Sequence, residues 1–161
     1  MNKVRKVMNT ILEVLTGVSF LAMVVITVWQ VITRYILKNP SVWSEELVSY
    51  LFAWASLFGA CLVTSERGHM NIPILIDKMS PKMKKAFIIG GEVIAFIFSI
   101  VILVYGGAQI TQLAMGQKTS SLGTVIGVFY FVLPLSGVIN ASYTVLNIID
   151  ICKKKEEKGA I

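Results

Sequence analysis

The strongest constraint on this chain is where it leaves charge out. No Asp, Glu, Lys or Arg interrupts the residues between Glu13 and Arg34, Glu46 and Glu66, Glu92 and Lys118, or Lys118 and Asp150. About 20 apolar residues at 1.5 Å each cross the roughly 30 Å hydrocarbon core of a bilayer, so each run is long enough to be a transmembrane helix. Composition agrees: 55% of residues are hydrophobic and 15% charged, against roughly 25% charged in soluble domains. The net charge of +6 does not imply a nucleic-acid partner, because the basic residues sit at the ends of the apolar runs and form no stripe. Cys61 and Cys152 stand alone, with no pairing or metal-ligand spacing, and read as free thiols.

The runs predict an all-α integral membrane protein with four transmembrane helices. Lys3, Arg5 and Lys6 precede the first, which superficially resembles a secretory signal. That run is too long for a signal core and no small-residue cleavage site follows it, so it is read as a retained helix over about 10–36. Its residues Thr27, Gln30 and Arg34 share one face, expected to meet protein more than lipid. Asn39-Pro40 breaks the helix, and Ser41 is placed to cap a second span over 42–64, with Glu45 and Glu46 complementing its positive end. The polar exit contains Gly68 and His69, and 71–79 is too short to cross, so a short interfacial amphipathic helix is expected there. A third span is expected over 82–115, long enough to tilt or project, and a fourth over 123–150, opening with Gly123 and Gly127. In this last span Ser136, Asn140, Tyr143 or Thr144, and Asn147 recur on one face. Such a stripe is costly against lipid, so it is expected to lie against helices, those of a partner subunit in particular. Residues 151–161 read as a solvated tail.

Counting Lys and Arg by connection gives twelve on the side of the termini and three on the other. By the positive-inside rule both termini are cytoplasmic and the segment from Arg34 to Glu46 faces outward. Membrane lipids are therefore constant neighbours.

Few residues suggest chemistry. Glu45 and Glu46 could form a catalytic or cation-binding pair, but nothing supplies further ligands, and they read as structural charges paired with Arg34, Lys38 or a partner chain. Glu92, the acid placed farthest inside a span, could couple protons in a small self-associating exporter. The blander reading pairs it with Lys85 or with a polar group on a neighbouring helix. His69 is the only histidine and has no co-ligands nearby. It reads as a helix-end residue at the cytoplasmic edge beside Gly68. Trp29 and Trp43 read as interfacial anchors and Trp54 as a packing residue. There is no nucleotide loop, zinc motif or nucleophile elbow, so no enzyme activity, cofactor or metal is expected. Nor is there an internal repeat of the kind an autonomous carrier shows.

The combination Arg34-Tyr35, Trp43-Ser44-Glu45-Glu46, Trp54, Phe58-Gly59-Ala60 and Gly68-His69 resembles the small membrane subunit of tripartite ATP-independent periplasmic (TRAP) transporters. The likeness continues through Asp77, Pro81, Leu122-Gly123 and Pro134. Pro73 and Ser121 depart from that family's pattern, and no shared role attaches to them. The resemblance implies a small scaffold subunit in a bacterial inner membrane, joined to a large membrane subunit that moves sodium and an organic acid. A periplasmic substrate-binding protein would deliver the acid, for example sialic acid or a C4-dicarboxylate. On this reading Arg34, Tyr35, Trp43, Glu45 and Glu46 form a collar at the periplasmic edge, and Ser136, Asn140 and Asn147 lie at a subunit interface.

Overall fold

The computed structural model describes residues 2–66 and 81–158. The expected interfacial helix at 71–79 lies outside the described residues, as do Gly68 and His69. Four helical segments among the described residues are long and apolar enough to cross a membrane: Lys3–Tyr35, Val42–Ser65, Ala86–Ala114 and Ile126–Cys152.

The first two are continuous helices, α1 (Asn2–Tyr35) and α2 (Val42–Ser65). The third is compound: α3 (Pro81–Phe98) widens into a π-helical segment (Ser99–Gly106) and resumes as α4 (Gly107–Ala114). A single turn, α5 (Ile126–Tyr130), leads at Phe131 into α6 (Val132–Lys158).

α1 packs chiefly on α2. Leu12, Ser19 and Thr33 are its buried residues, and Asn9, Thr16, Met23, Ile26 and Gln30 are half-buried. These positions follow a seven-residue repeat, the geometry of a left-handed pair crossing at a shallow angle. The face expected from Thr27, Gln30 and Arg34 is therefore divided: Gln30 turns toward the seam, while Thr27 and Arg34 are exposed.

α1 stops at Tyr35, before the proline. Lys38 takes a left-handed conformation (φ 51°), and the Asn39 amide donates back to the Thr33 carbonyl at 3.0 Å, closing the end of the helix. Ser41 occupies the N-cap of α2 in an extended conformation, but its hydroxyl makes no capping bond to the backbone. It donates instead to Ser44 Oγ at 2.5 Å, and Ser44 donates to the Ser41 carbonyl at 2.7 Å.

α6 is the central element. In its most apolar window 39% of residues are buried, against 11–17% in the other three spans, and it packs on α2 on one side and on α3 and the π segment on the other. Gly137 permits that second contact: a Cβ there would stand 2.7 Å from Leu103 Cβ and 2.9 Å from the Val104 nitrogen. The apolar core, Leu12, Phe58, Cys61, Val132 and Tyr143, gathers residues from α1, α2 and α6.

The fourth span begins at Ile126, and Gly123 lies before it. Residues 117–126 form a tight reversal with amide bonds from Thr119 to the Thr124 carbonyl (2.8 Å) and from Ile126 to the Gln117 carbonyl (3.0 Å). Gly123 closes it with φ 67°, a conformation that costs glycine nothing. Gly123 and Gly127 are thus not a shared helix face. Gly127 alone meets a neighbour closely, with Met115 atoms 2.8 Å from where a Cβ would stand.

Candidate functional site

Polar side chains gather at both ends of the bundle. At the end holding the termini, Asn147 of α6 is fully buried and bonded to all three other spans. Its Oδ1 accepts from Arg5 Nη2 of α1 at 2.6 Å, and its Nδ2 donates to the Thr64 carbonyl of α2 at 3.0 Å and to Glu92 Oε1 of α3 at 2.9 Å. Only one orientation of the amide serves a guanidinium on one side and two oxygen acceptors on the other, so the network itself fixes the assignment. Arg5 also faces Asp150 at 3.4 Å. One turn deeper, Asn9 Oδ1 accepts from both Ser65 Oγ and Tyr143 Oη at 2.7 Å.

α2 supplies a ruler for depth. Glu46 and Glu66 are twenty residues apart, about 30 Å of helix, which is the thickness of the hydrocarbon. Glu92 shares Asn147 with Thr64, so it lies level with the Glu66 boundary and not near mid-membrane. Asn147 thus gives Glu92 a polar partner on a neighbouring helix. Glu92 is 2% exposed, and the carboxylate is held by a charge-assisted bond inside protein.

At the opposite end the bonds run to backbone. Glu46 Oε2 accepts from the Ser121 amide at 3.0 Å, tying α2 to the loop before α5. One turn deeper the Tyr50 ring stacks on Phe129, centroids 4.1 Å apart. Another turn down, Trp54 Nε1 donates to the Phe129 carbonyl at 2.9 Å. Pro134 has no amide to offer the Tyr130 carbonyl four residues earlier, and Thr111 Oγ1 lies 3.1 Å from that oxygen in its place. The break at Phe131 is thus sealed by side chains from α2 and α4.

The expected collar is assembled only in part. Glu46 is engaged, whereas Arg34, Tyr35, Trp43 and Glu45 are exposed. No ion pair joins Glu45 or Glu46 to Arg34 or Lys38 among the described residues. Trp29 and Trp43 flank an open groove also lined by Thr33, Pro40, Ser41 and Ser121.

The stripe on α6 is engaged largely within the chain. Ser136 is buried with its hydroxyl on the Leu133 carbonyl, and Cys61 Sγ of α2 approaches its carbonyl at 3.4 Å. Asn140 donates to Ser99 Oγ at 3.0 Å, at the head of the π segment. Tyr143, Thr144 and Asn147 are wholly buried and Asn140 is half-buried, so most of the stripe faces the chain's own helices. A face of hydroxyls and amides needs helical neighbours, and periodicity does not say whose.

Neither helical periodicity nor any motif singles out Arg5, Asn9, Ser65, Thr111 or Asp150, all of which make contacts between elements here. The available signal was Asp150 one turn beyond Asn147, an acid placed to receive a cation from a neighbouring helix end.

The sequence profile described as "Tripartite ATP-independent periplasmic transporters, DctQ component" matches residues 23–154. The chain is 32% identical over 134 residues to the sialic acid TRAP transporter small permease protein SiaQ of Vibrio cholerae, covering 83% of this chain and 77% of that one. It is 27% identical over 148 residues to a putative TRAP transporter small permease protein of Haemophilus influenzae, covering 88% and 87%. Half of it also matches the sialic acid TRAP transporter permease protein SiaT of Haemophilus influenzae at 31% identity, over 13% of that protein's length. This is a family of transporter components and not of enzymes. Through the matched residues, which take in the outer part of α1, all of α2 and Asn147, the chain belongs to the DctQ component family of tripartite ATP-independent periplasmic transporters.

Proposed function

We propose that this chain is the small scaffold subunit of a sodium-coupled importer of an organic acid. It would sit in a bacterial cytoplasmic membrane beside a large permease subunit, with a periplasmic protein delivering the substrate. The observation that carries the scaffold role is the four-way bonding of Asn147: polar groups that could line a path are committed to holding the helices to one another. A block fixed in this way suits an immobile support better than a moving carrier.

Two features of the relatives support a large partner. A stretch like this chain makes up 13% of one permease, which suggests that the same part works as a segment of a larger machine. The names of other relatives specify sialic acid and C4-dicarboxylate, so an organic carboxylate is the substrate class for the assembled transporter. Arg5 and Asp150 bring the two ends of the chain together, and twelve of the fifteen basic residues belong to that side. This favours cytoplasmic termini. Exposed Arg34, Tyr35, Trp43 and Glu45 then form a periplasmic collar open to the other two components.

The test is co-expression with the large permease of the same transporter, followed by detergent extraction, mass measurement and reconstitution with the binding protein. A stable two-chain complex and sodium-dependent uptake are expected, with Trp43→Ala or the double change of Glu45 and Glu46 to Ala lowering both. Solute accumulation by liposomes holding this chain alone would overturn the reading.

A further inference from the structure

We propose that the large permease subunit docks a cation-bearing membrane helix on the flank of α1 that carries Glu13. The inference rests on the scaffold reading, and it names the surface and the partner charge which that reading leaves open.

α1 and α2 run side by side in opposite directions, with Asn9 bonded to Ser65, one residue short of the Glu66 boundary. Glu13 lies four residues further along α1, about 6 Å deeper. Its neighbour Leu12 agrees, packing with Cys61 and Phe58, about one and two turns inside Glu66. By the same ruler Glu92 stands at the inner boundary and Gln112, twenty residues on, at the outer one. Glu13 is therefore the one charged residue inside the hydrocarbon stretch of the described spans. It is exposed, and it makes no ion pair or hydrogen bond among the described residues. A carboxylate at that depth needs a cation to answer it.

The two flanks of α1 differ. Buried Leu12 and Ser19 mark its seam with α2. At 100° per residue, Ile11, Leu15, Val18 and Val25 fall to one side of that seam, all exposed and apolar, a surface that lipid solvates. Glu13, Gly17 and Phe20 fall to the other, with Thr10 and Thr27, whose hydroxyls bond carbonyls of their own helix. Gly17, one turn beyond Glu13, is where another helix can come close, since a Cβ there would meet nothing within 4 Å. Lipid tails offer the carboxylate no partner, and snorkelling to the headgroups belongs to the longer stems of Lys and Arg. A second copy of this chain does not answer it either. Copies share one orientation in the membrane, their described spans hold no cation at that depth, and a two-fold contact on this flank would set Glu13 against Glu13. The chemistry is accordingly that of a different chain: a helix fitted over Gly17, with Lys or Arg about 6 Å inside the edge on the side of the termini.

The photocrosslinker p-benzoylphenylalanine is placed at position 20 or, as comparison, at position 18, in the full chain co-expressed with its large permease subunit. Phe20 and Val18 are similarly exposed, 58% and 61%, but on opposite flanks. An adduct with the large subunit several times more abundant from 20 than from 18 is expected. Separately, Glu13→Gln, which removes the charge and keeps the shape, should weaken association at least about tenfold, and Glu13→Lys should weaken it further. The thermal midpoint of the isolated chain should not change with Glu13→Gln, and a fall would make Glu13 a structural group and overturn the docking role. Equal adducts from both positions, adducts from 18 alone, or only lipid adducts or adducts between two copies from 20 would overturn the assignment. So would undiminished association of Glu13→Gln, the result if a protonated carboxyl faces lipid. Association of Glu13→Lys no weaker than that of Glu13→Gln would overturn the cationic partner. A wild-type chain that extracts with no large permease overturns the scaffold reading itself, and this surface with it.

Discussion

The two ends of the bundle are fastened by different means. At the terminal end, side chains from four helices bond to one another: Arg5, Asn147, Glu92 and Asp150 in one layer, Asn9, Ser65 and Tyr143 in the next. At the hinge end, side chains of α2 and α4 bond the backbone of a broken fourth span, and the exposed charges Arg34, Lys38 and Glu45 are paired with nothing among the described residues. The first arrangement fixes helices relative to one another. The second seals a local break and leaves the charged collar available, as a subunit with two outside partners would require.

The difference is largest at Asn147. Replacing it by Leu removes the bonds to Arg5, Glu92 and the Thr64 carbonyl, and losing a hydrogen bond to a charged group costs about 1.5–3 kcal/mol. Thermal unfolding in detergent should show the largest loss of any single change described. Removing Glu92 as well, as in Asn147→Leu with Glu92→Leu, should recover part of it, since deleting both members of a buried polar pair costs less than deleting one. If the double variant is worse by the full sum of the two singles, the hub is not a coupled unit.

The terminal end was also the harder one to read in the sequence. Four apolar runs and a proline break fix the number of spans and the hinge, because length against bilayer thickness and the missing proline amide are local properties. The polar stripe on the fourth span was visible for the same reason: Ser136, Asn140, Tyr143 and Asn147 repeat at helical spacing. Its destination was not visible, since facing its own helices or another chain's costs the same pattern. Glu92 shows a second limit. Seven residues of apolar helix beyond Lys85 suggested depth, but its level was set by Thr64 on another helix, through Asn147. The seal at Phe131 depends on tertiary contacts from Trp54 and Thr111 that no periodicity encodes.

At the hinge end the effects should be smaller and confined. Trp54→Phe keeps the apolar ring and removes the donor to the Phe129 carbonyl, an expected loss of about 1–2 kcal/mol. Glu46→Ala releases the Ser121 amide and should cost about 1 kcal/mol. Ser121→Pro, which removes the amide itself, should match it in the same assay. Hydrogen exchange then sharpens the contrast: Glu46→Ala should speed exchange at Thr119 and Ile126 while leaving the last turns of α6 near Asn147 unchanged. Faster exchange at both ends would mean that the two fastenings are one cooperative structure.

The smallest effect has the opposite sign. Lys38 closes α1 in a left-handed conformation that costs a side-chain-bearing residue about 1–2 kcal/mol. Glycine relieves that cost but brings about 0.5–1 kcal/mol of extra chain entropy to the unfolded state. Lys38→Gly should therefore raise stability by a few tenths of a kcal/mol to about 1 kcal/mol, seen as a small rise in thermal midpoint. Because the exposed ammonium bonds nothing among the described residues, its loss should not offset the gain. A fall in midpoint would show that the Lys38 side chain contributes to the hinge after all, and would move this end of the molecule closer to the terminal end, where charge holds structure.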